Sequence, residues 1–312
     1  MTDRMRAVGR RFWLALSLAA IAGPVSAIDG VIEINQASAL AGGVTPTDTP
    51  GLPVTIDSPG SYRLTGSLVA SPGQTNVHAI VVTTAAGVTI DLNGFVLQGP
   101  SVCSNLQACT PAGTARGIDA NGPAVRVRNG TVRGFPGGGL VLGVQTRIDE
   151  VHAIGNGGDG IRVQDFAIVT ACSVSTNVAH GIHAGMSSTL DRNTADTNGG
   201  NGIQTGVGSL ITRNATAGNA IGIAAGGTSI VSQNSARANT SVGIACTGCS
   251  LVANSAHGNN GVGFQLDSSS GYAQSVLRAN NGGSDQPQVE GGIDFGQNLC
   301  GAVDLGNGIA CP

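Results

Sequence analysis

The sequence contains no lysine. All 15 of its basic side chains are arginines, and only three of its 18 acids are glutamates, Glu33, Glu150 and Glu290. Lys and Glu are the residues that solvate the outer face of helices, and their scarcity beside abundant Gly, Asn, Thr and Val excludes a helical bundle. Aromatic residues make up 3% of the chain, and its one tryptophan, Trp13, stands near the N-terminus. That leaves few rings for a stacking platform. No apolar run reaches the roughly 20 residues that a membrane-spanning helix requires. Charge is sparse as well, 11% of residues with a net of −3, which argues against nucleic acid and against anionic membrane surfaces as partners. Glycine is what abounds, 50 of 312 residues, without a Gly-X-Y period. An all-β chain fits this composition, and collagen does not.

The first 27 residues read as a leader. Arg4, Arg6, Arg10 and Arg11 precede an apolar run from Phe12 to Ala22, and Val25-Ser26-Ala27 supplies small residues for cleavage. The pattern predicts a secretory signal peptide over 1–27, cut after Ala27. Arg10-Arg11 also invites a twin-arginine reading, which the flanking Gly9 and Trp13 fit poorly. The expected destination is outside the cytoplasm: extracellular, cell-surface or periplasmic. The leader takes four arginines and one acid with it, so the remaining chain is more acidic still.

A repeat then decides the fold class. Gly followed by a large apolar residue recurs at Gly117-Ile118, Gly139-Leu140, Gly160-Ile161, Gly181-Ile182, Gly202-Ile203, Gly222-Ile223, Gly243-Ile244 and Gly263-Phe264, at spacings of 20 to 22 residues. Asn156, Asn177, Asn198, Asn219, Asn239 and Asn259 keep step with it, as do Cys172, Asn193, Asn214, Asn234 and Asn254. A period of this length marks a stacked solenoid. Leucine is too sparse for leucine-rich repeats, and the period is not the nine residues of calcium-binding Gly-Asp repeats. Inside each unit, apolar residues alternate over runs short enough for three small strands. One unit per coil, with equivalent strands stacking, is a parallel β-helix. Three interior columns follow: the Ile series from Ile118 to Phe264; Val169, Leu190, Ile211, Val231 and Leu251; and Val174, Ala195, Thr216, Ala236 and Ala256. The Asn193, Asn214, Asn234 and Asn254 series is expected to form an amide ladder along the axis.

The predicted organisation is a single-stranded parallel β-helix of about ten coils with caps at both ends. Residues 28–60 read as the N-terminal cap, 61–267 as the repeats with an insertion at about 100–116, and 268–312 as the last coil and C-terminal cap. The motifs Ile90-Asp91-Leu92-Asn93-Gly94 and Arg128-Asn129-Gly130-Thr131-Val132-Arg133-Gly134, with the Gly-Ile units and their Asn turns, resemble the secreted right-handed parallel β-helix repeat proteins of bacteria, in the pectate-lyase-like superfamily. The resemblance covers nearly all of the chain beyond the leader. It implies a right-handed solenoid and, because the architecture hosts lyases, hydrolases, epimerases and adhesins, leaves function open.

The residues do not supply the chemistry of those enzymes. Glycoside hydrolysis needs two carboxyls at a set separation, yet the outward column beside the Ile stack reads Asp119, Val141, Arg162, His183, Gln204, Ala224, Ala245, Gln265. One acid stands alone in it. Lysine is absent as a lyase base, and the Asp-Pro-His-Glu signature of alginate epimerases is missing. The sequence therefore points to an exported scaffold or binding protein that contacts polysaccharide, with a polysaccharide lyase, hydrolase or epimerase acting on an acidic glycan as the alternative. No cofactor or metal is implied.

One outward cluster stands out as a ligand-binding candidate. Asp159, His180 and Asn201 share one column, and Arg162, His183 and Gln204 the column three residues on. Two imidazoles beside a carboxylate could bind a metal, act as acid and base, or make binding pH-sensitive, although a solvated face explains the same residues. A second basic patch, Arg126, Arg128 and Arg133, could attract an acidic glycan, but nearby Asp91 and Asp119 favour reading it as a solvated, partly paired face. His78 reads as an unrelated surface residue, and Asp149-Glu150 faces no evident partner.

Seven cysteines in an exported chain predict disulfides: Cys103–Cys109 in the insertion and Cys300–Cys311 at the C-terminus. Cys172 is expected as a buried thiol, and Cys246 and Cys249 as either a disulfide or two thiols. The sequons at Asn129, Asn214 and Asn239 are read as ladder positions.

Overall fold

The computed structural model describes residues 30–301 apart from 85–86, 104–105, 107 and 284–285. Cys311 and the leader lie outside the described residues. Each repeat contributes three strands. The first set runs Val54–Ile56, Ile80–Val82, Arg116–Ala120, Gly138–Leu142, Ile161–Val163, Ile182–Ala184, Ile203–Thr205, Ile223–Ala225, Ile244–Cys246, Phe264–Leu266 and Val289–Glu290, an eleven-stranded sheet. Every neighbouring pair in it is parallel, and Ile161 pairs with Ile182 and Ile182 with Ile203, one repeat on each time. The second and third strands of each repeat, such as Thr189–Asp191 and Thr194–Asp196, join a 21-stranded sheet bent between them.

A bend of two residues separates those two strands. Ala171, Arg192, Arg213, Gln233 and Ala253 sit there with φ between 54° and 58°. The next residue is in each case Cys172, Asn193, Asn214, Asn234 or Asn254, whose side chain is swung inward and buried. The amide of Asn193 accepts from the backbone N–H of Cys172 at 3.0 Å and donates to Asn214 Oδ1 at 3.0 Å. Asn214 donates on to Asn234, and Asn234 to Asn254. A second ladder climbs from Asn156 through Asn177, Asn198, Asn219, Asn239, Asn259 and Asn280 to Gln288. Buried amides unpaired in a stack would each cost about 1–3 kcal/mol; here each is satisfied by the next coil.

The three apolar columns fill the space between the sheets. All members of the Ile series from Ile118 to Phe264 are fully buried, as are Val169, Leu190, Ile211, Val231 and Leu251. Each Ile or Leu so buried contributes roughly 1.5–3 kcal/mol before entropy is counted.

The parallel register reaches into both segments read as caps. Ile32–Ile34 pairs with Tyr62–Leu64, and Val54–Ile56 with Ile80–Val82, ahead of residue 61. At the other end Gly271–Ala273 and Val276–Arg278 continue the stack, with Tyr272 beside Leu251 and Leu277 beside Ala256. Stacking needs only an inward apolar side chain at each step, so coils that lack the Gly-Ile motif still add. The short helix Gln36–Ala41, capped by Asn35, interrupts the first coil.

Cys103 and Cys109 are bonded, and so are Cys246 and Cys249 across one turn. Cys300 is disulfide-bonded as well. Cys172 is a buried free thiol. Asn214 and Asn239 belong to the ladders, but Asn129 does not: it is exposed at a bend with φ 58°.

Candidate functional site

Alternation along the first strand sends Ile182 and Ala184 inward and His183 outward. Parallel register then stacks Arg162 on His183 and His183 on Gln204, roughly 4.8 Å apart. Two residues before each inward Ile, the chain enters the strand with Asp159, His180 and Asn201. The six candidate residues therefore occupy three consecutive coils on one outer face.

They touch. Asp159 is 8% exposed, and its Oδ1 accepts the backbone N–H of His180 at 3.0 Å. Its Oδ2 lies 3.4 Å from Nδ1 of His183 and 3.9 Å from the Arg162 guanidinium. The backbone N–H of Asn201 donates to His180 Nδ1 at 2.9 Å, and the Asn201 side chain donates to Gln204 Oε1 at 3.1 Å. The two imidazoles stand edge to face with centroids 5.4 Å apart.

These bonds give the Nδ1 atoms of the two histidines opposite roles. An N–H donated to Nδ1 of His180 leaves its proton on Nε2, so His180 is a donor. Burial keeps that ring neutral by pushing its pKa down, against the pull of Asp159. His183 presents Nδ1 to the carboxylate at 3.4 Å, where that nitrogen serves as the donor. Burial pushes the Asp159 carboxyl up, but the hydrogen bond from His183 and the His180 amide outweigh it and hold the pKa below the usual carboxylate value.

Asp159, His180 and His183 also bring ligand atoms within 4.8 Å of one another. A metal-ligating imidazole normally donates its second ring N–H to an acceptor. His180 does the reverse, and its free nitrogen carries the proton. The arrangement suits hydrogen bonding to a polyhydroxylated ligand better than it suits a metal ion.

The structure adds residues that the sequence did not connect. His78 and Arg116 belong to the same strand-entry column, and Asp119 to the outward column. His78 Nε2 lies 3.4 Å from Asp119, Arg116 is 3.0 Å from it, and the Arg116 N–H donates to His78 Nδ1 at 3.0 Å. The loop carrying Cys103 and Cys109 separates His78 from Arg116 by 38 residues and hides the repeat from a 21-residue count. Gly138 and Val141 lie between this group and the Asp159 group.

The second basic patch is fully occupied. Arg128 pairs with Asp91 at 2.9 Å, Arg133 donates to Gln98 at 2.6 Å, and Arg126 pairs with Asp149 at 3.0 Å rather than with Asp119. Asp149 is thus not partnerless: it also takes Arg147 and the Thr170 hydroxyl.

The model for the right handed beta helix region matches residues 69–216. Together with the stacked parallel strands, this makes the chain a right-handed parallel β-helix protein. Among solved structures, the A-module of the Azotobacter vinelandii mannuronan C-5 epimerase AlgE4 is similar over 87% of this chain and 86% of its own, with TM-score 0.55 and 15% identity. The A-module of AlgE6 from the same organism covers 91% and 86%, at TM-score 0.54 and 16% identity. A double mutant of the periplasmic alginate epimerase AlgG covers 86% and 82%, at TM-score 0.56 and 14% identity. At such identities the likeness is one of fold. No curated protein matches the chain in sequence.

Proposed function

We propose that this is an exported β-helix protein that binds an acidic polysaccharide along the outer face of its first sheet. The observation that carries the reading is the in-register row Arg162, His183 and Gln204, backed by Asp159, His180 and Asn201. It offers a cation, neutral donors and acceptors at one-strand intervals, which suits a chain of hydroxyls and carboxylates. Two aromatic side chains, Phe166 and Phe295, are exposed among the described residues, so recognition rests on hydrogen bonds rather than on stacking. Mannuronan and alginate, named in the structures of similar fold, are uronate polymers with those groups. Export is supported by the leader-like residues 1–27 and by the disulfides.

A second reading is catalytic. The paired imidazoles of His180 and His183, with the Asp159 carboxylate beside them, are groups that proton transfer at a uronate would use. Calorimetry with polymannuronate, polyguluronate and polygalacturonate, followed by NMR of each polymer after long incubation, separates the two. Binding without change in the polymer, weakened in a His180→Ala/His183→Ala variant that keeps its melting temperature, supports the binding protein. Epimerised or unsaturated product that disappears in the same variant replaces it with the enzyme.

A further inference from the structure

The third strands present a different outer face, which the proposed function does not use. Their outward positions read Ser173 and Ser175, then Thr194 and Asp196, Ala215 and Ala217, and Ser235 and Arg237 on successive coils. The two alanines leave a trough between longer neighbours. The resulting cavity is about 330 Å³, and Asp196 and Arg237 stand on opposite sides of it, two coils apart. Pockets that hold small ligands begin at about this size.

Beyond the trough the same column becomes basic. Arg237, His257 and Arg278 are stacked in register, and all three are exposed. Among the described residues none of them makes an ion pair. This contrasts with Arg126, Arg128, Arg147 and Arg213, each held by an aspartate. In a chain of net charge −3, a row of unpaired basic side chains ending at a hydroxyl-lined trough is a local exception.

We propose that this trough is a second binding site, for an anionic saccharide whose ring sits over Ala215 and Ala217. Its carboxylate or sulfate is taken by Arg237, and the row through His257 and Arg278 receives the next charged unit. The serine and threonine hydroxyls along the floor serve the ring hydroxyls. The site is independent of the Asp159 face, which lies on another sheet.

The test is calorimetry on the folded protein with three hexasaccharides: oligogalacturonate, a heparin-derived sulfated oligomer, and neutral maltohexaose. Binding of at least one anionic oligomer is expected, weakening about tenfold between roughly 50 and 200 mM salt, with no binding of maltohexaose. The preferred anion identifies the group that Arg237 takes. Arg237→Gln is expected to weaken binding about tenfold, and Ala217→Trp, which fills the trough beside Arg237 while keeping every basic side chain, to do the same. His183→Ala is expected to remove only the binding event assigned to the first sheet and to leave the event at the trough with the same affinity and salt dependence. Failure of both anions to bind, equal binding of maltohexaose, or full affinity in Arg237→Gln overturns the proposal. Anion binding that is lost in His183→Ala and retained in Ala217→Trp overturns it too, while upholding the site on the first sheet.

Discussion

Gly181 lies directly against the amide of Asn198: a Cβ added to this glycine would stand 2.8 Å from Asn198 Nδ2 and 2.6 Å from the carbonyl oxygen of Gly202. The same approach recurs one repeat earlier, where Gly160 faces Asn177, and one later, where Gly202 faces Asn219. From Gly139 to Gly263 the glycine of the pair is therefore there to make room for a ladder asparagine, not to make a turn; Gly117, ahead of the ladder, faces Val132 instead. Two series that merely keep step in the sequence are one packing unit in space.

Gly181→Ala is accordingly expected to destabilise the fold by about 1–3 kcal/mol, because the backbone of two coils must part to admit a methyl group. Denaturant unfolding followed by circular dichroism measures this. A change below about 0.5 kcal/mol would show that the contact relaxes freely.

Asn198→Leu removes a group that accepts from Asn177 and donates to Asn219 and to the carbonyl of Val174. Its neighbours are left buried and unpaired, at about 1–3 kcal/mol for each lost partner. The variant is expected to unfold at markedly lower denaturant than Gln204→Leu, a substitution on the outer face of the same coil. Equal midpoints would mean that the ladder contributes little.

Stability should fall as the solution is acidified from pH 7.5 to 5. Burial lowers the pKa of both His78 and His180, in each case against a nearby aspartate, and protonating Nδ1 would also sever the bond from the Arg116 or Asn201 amide. The unfolded chain takes up these protons near pH 6.5 while the folded chain resists, so the unfolded state gains on acidification. The lowered carboxyls of Asp149 and Asp159 act in the same direction further down, as pH drops below about 3.9. Melting temperatures across this range check the sign, and a His78→Gln/His180→Gln variant should flatten the curve above pH 5. A flat curve in the parent protein would count against both histidine assignments.

Cys172 should be inert while the protein is folded. Burial pushes its thiol up to about 12, and the sulfur lies 3.3 Å from the carbonyl oxygen of Thr170. Alkylation at pH 8 without reductant is expected to leave the native protein unlabelled and to add one label after unfolding. Label on the folded protein would show that the coil at Cys172 opens.

The 20-to-22-residue recurrence of Gly-Ile determined the fold class from the sequence alone, because stacking forces each inward position to repeat. It also placed Asp159, Arg162, His180, His183, Asn201 and Gln204 on one face, since those coils contain no insertion. Where an insertion intervenes, counting fails, and His78 joins Arg116 and Asp119 only in space. Arg126 finds Asp149 on the following coil without any insertion between them, because the side chain reaches diagonally across the register. The tautomer of His180 was likewise beyond sequence. It depends on a backbone N–H of one coil meeting a ring nitrogen of the previous one, a distance of 2.9 Å that only the stacked structure fixes.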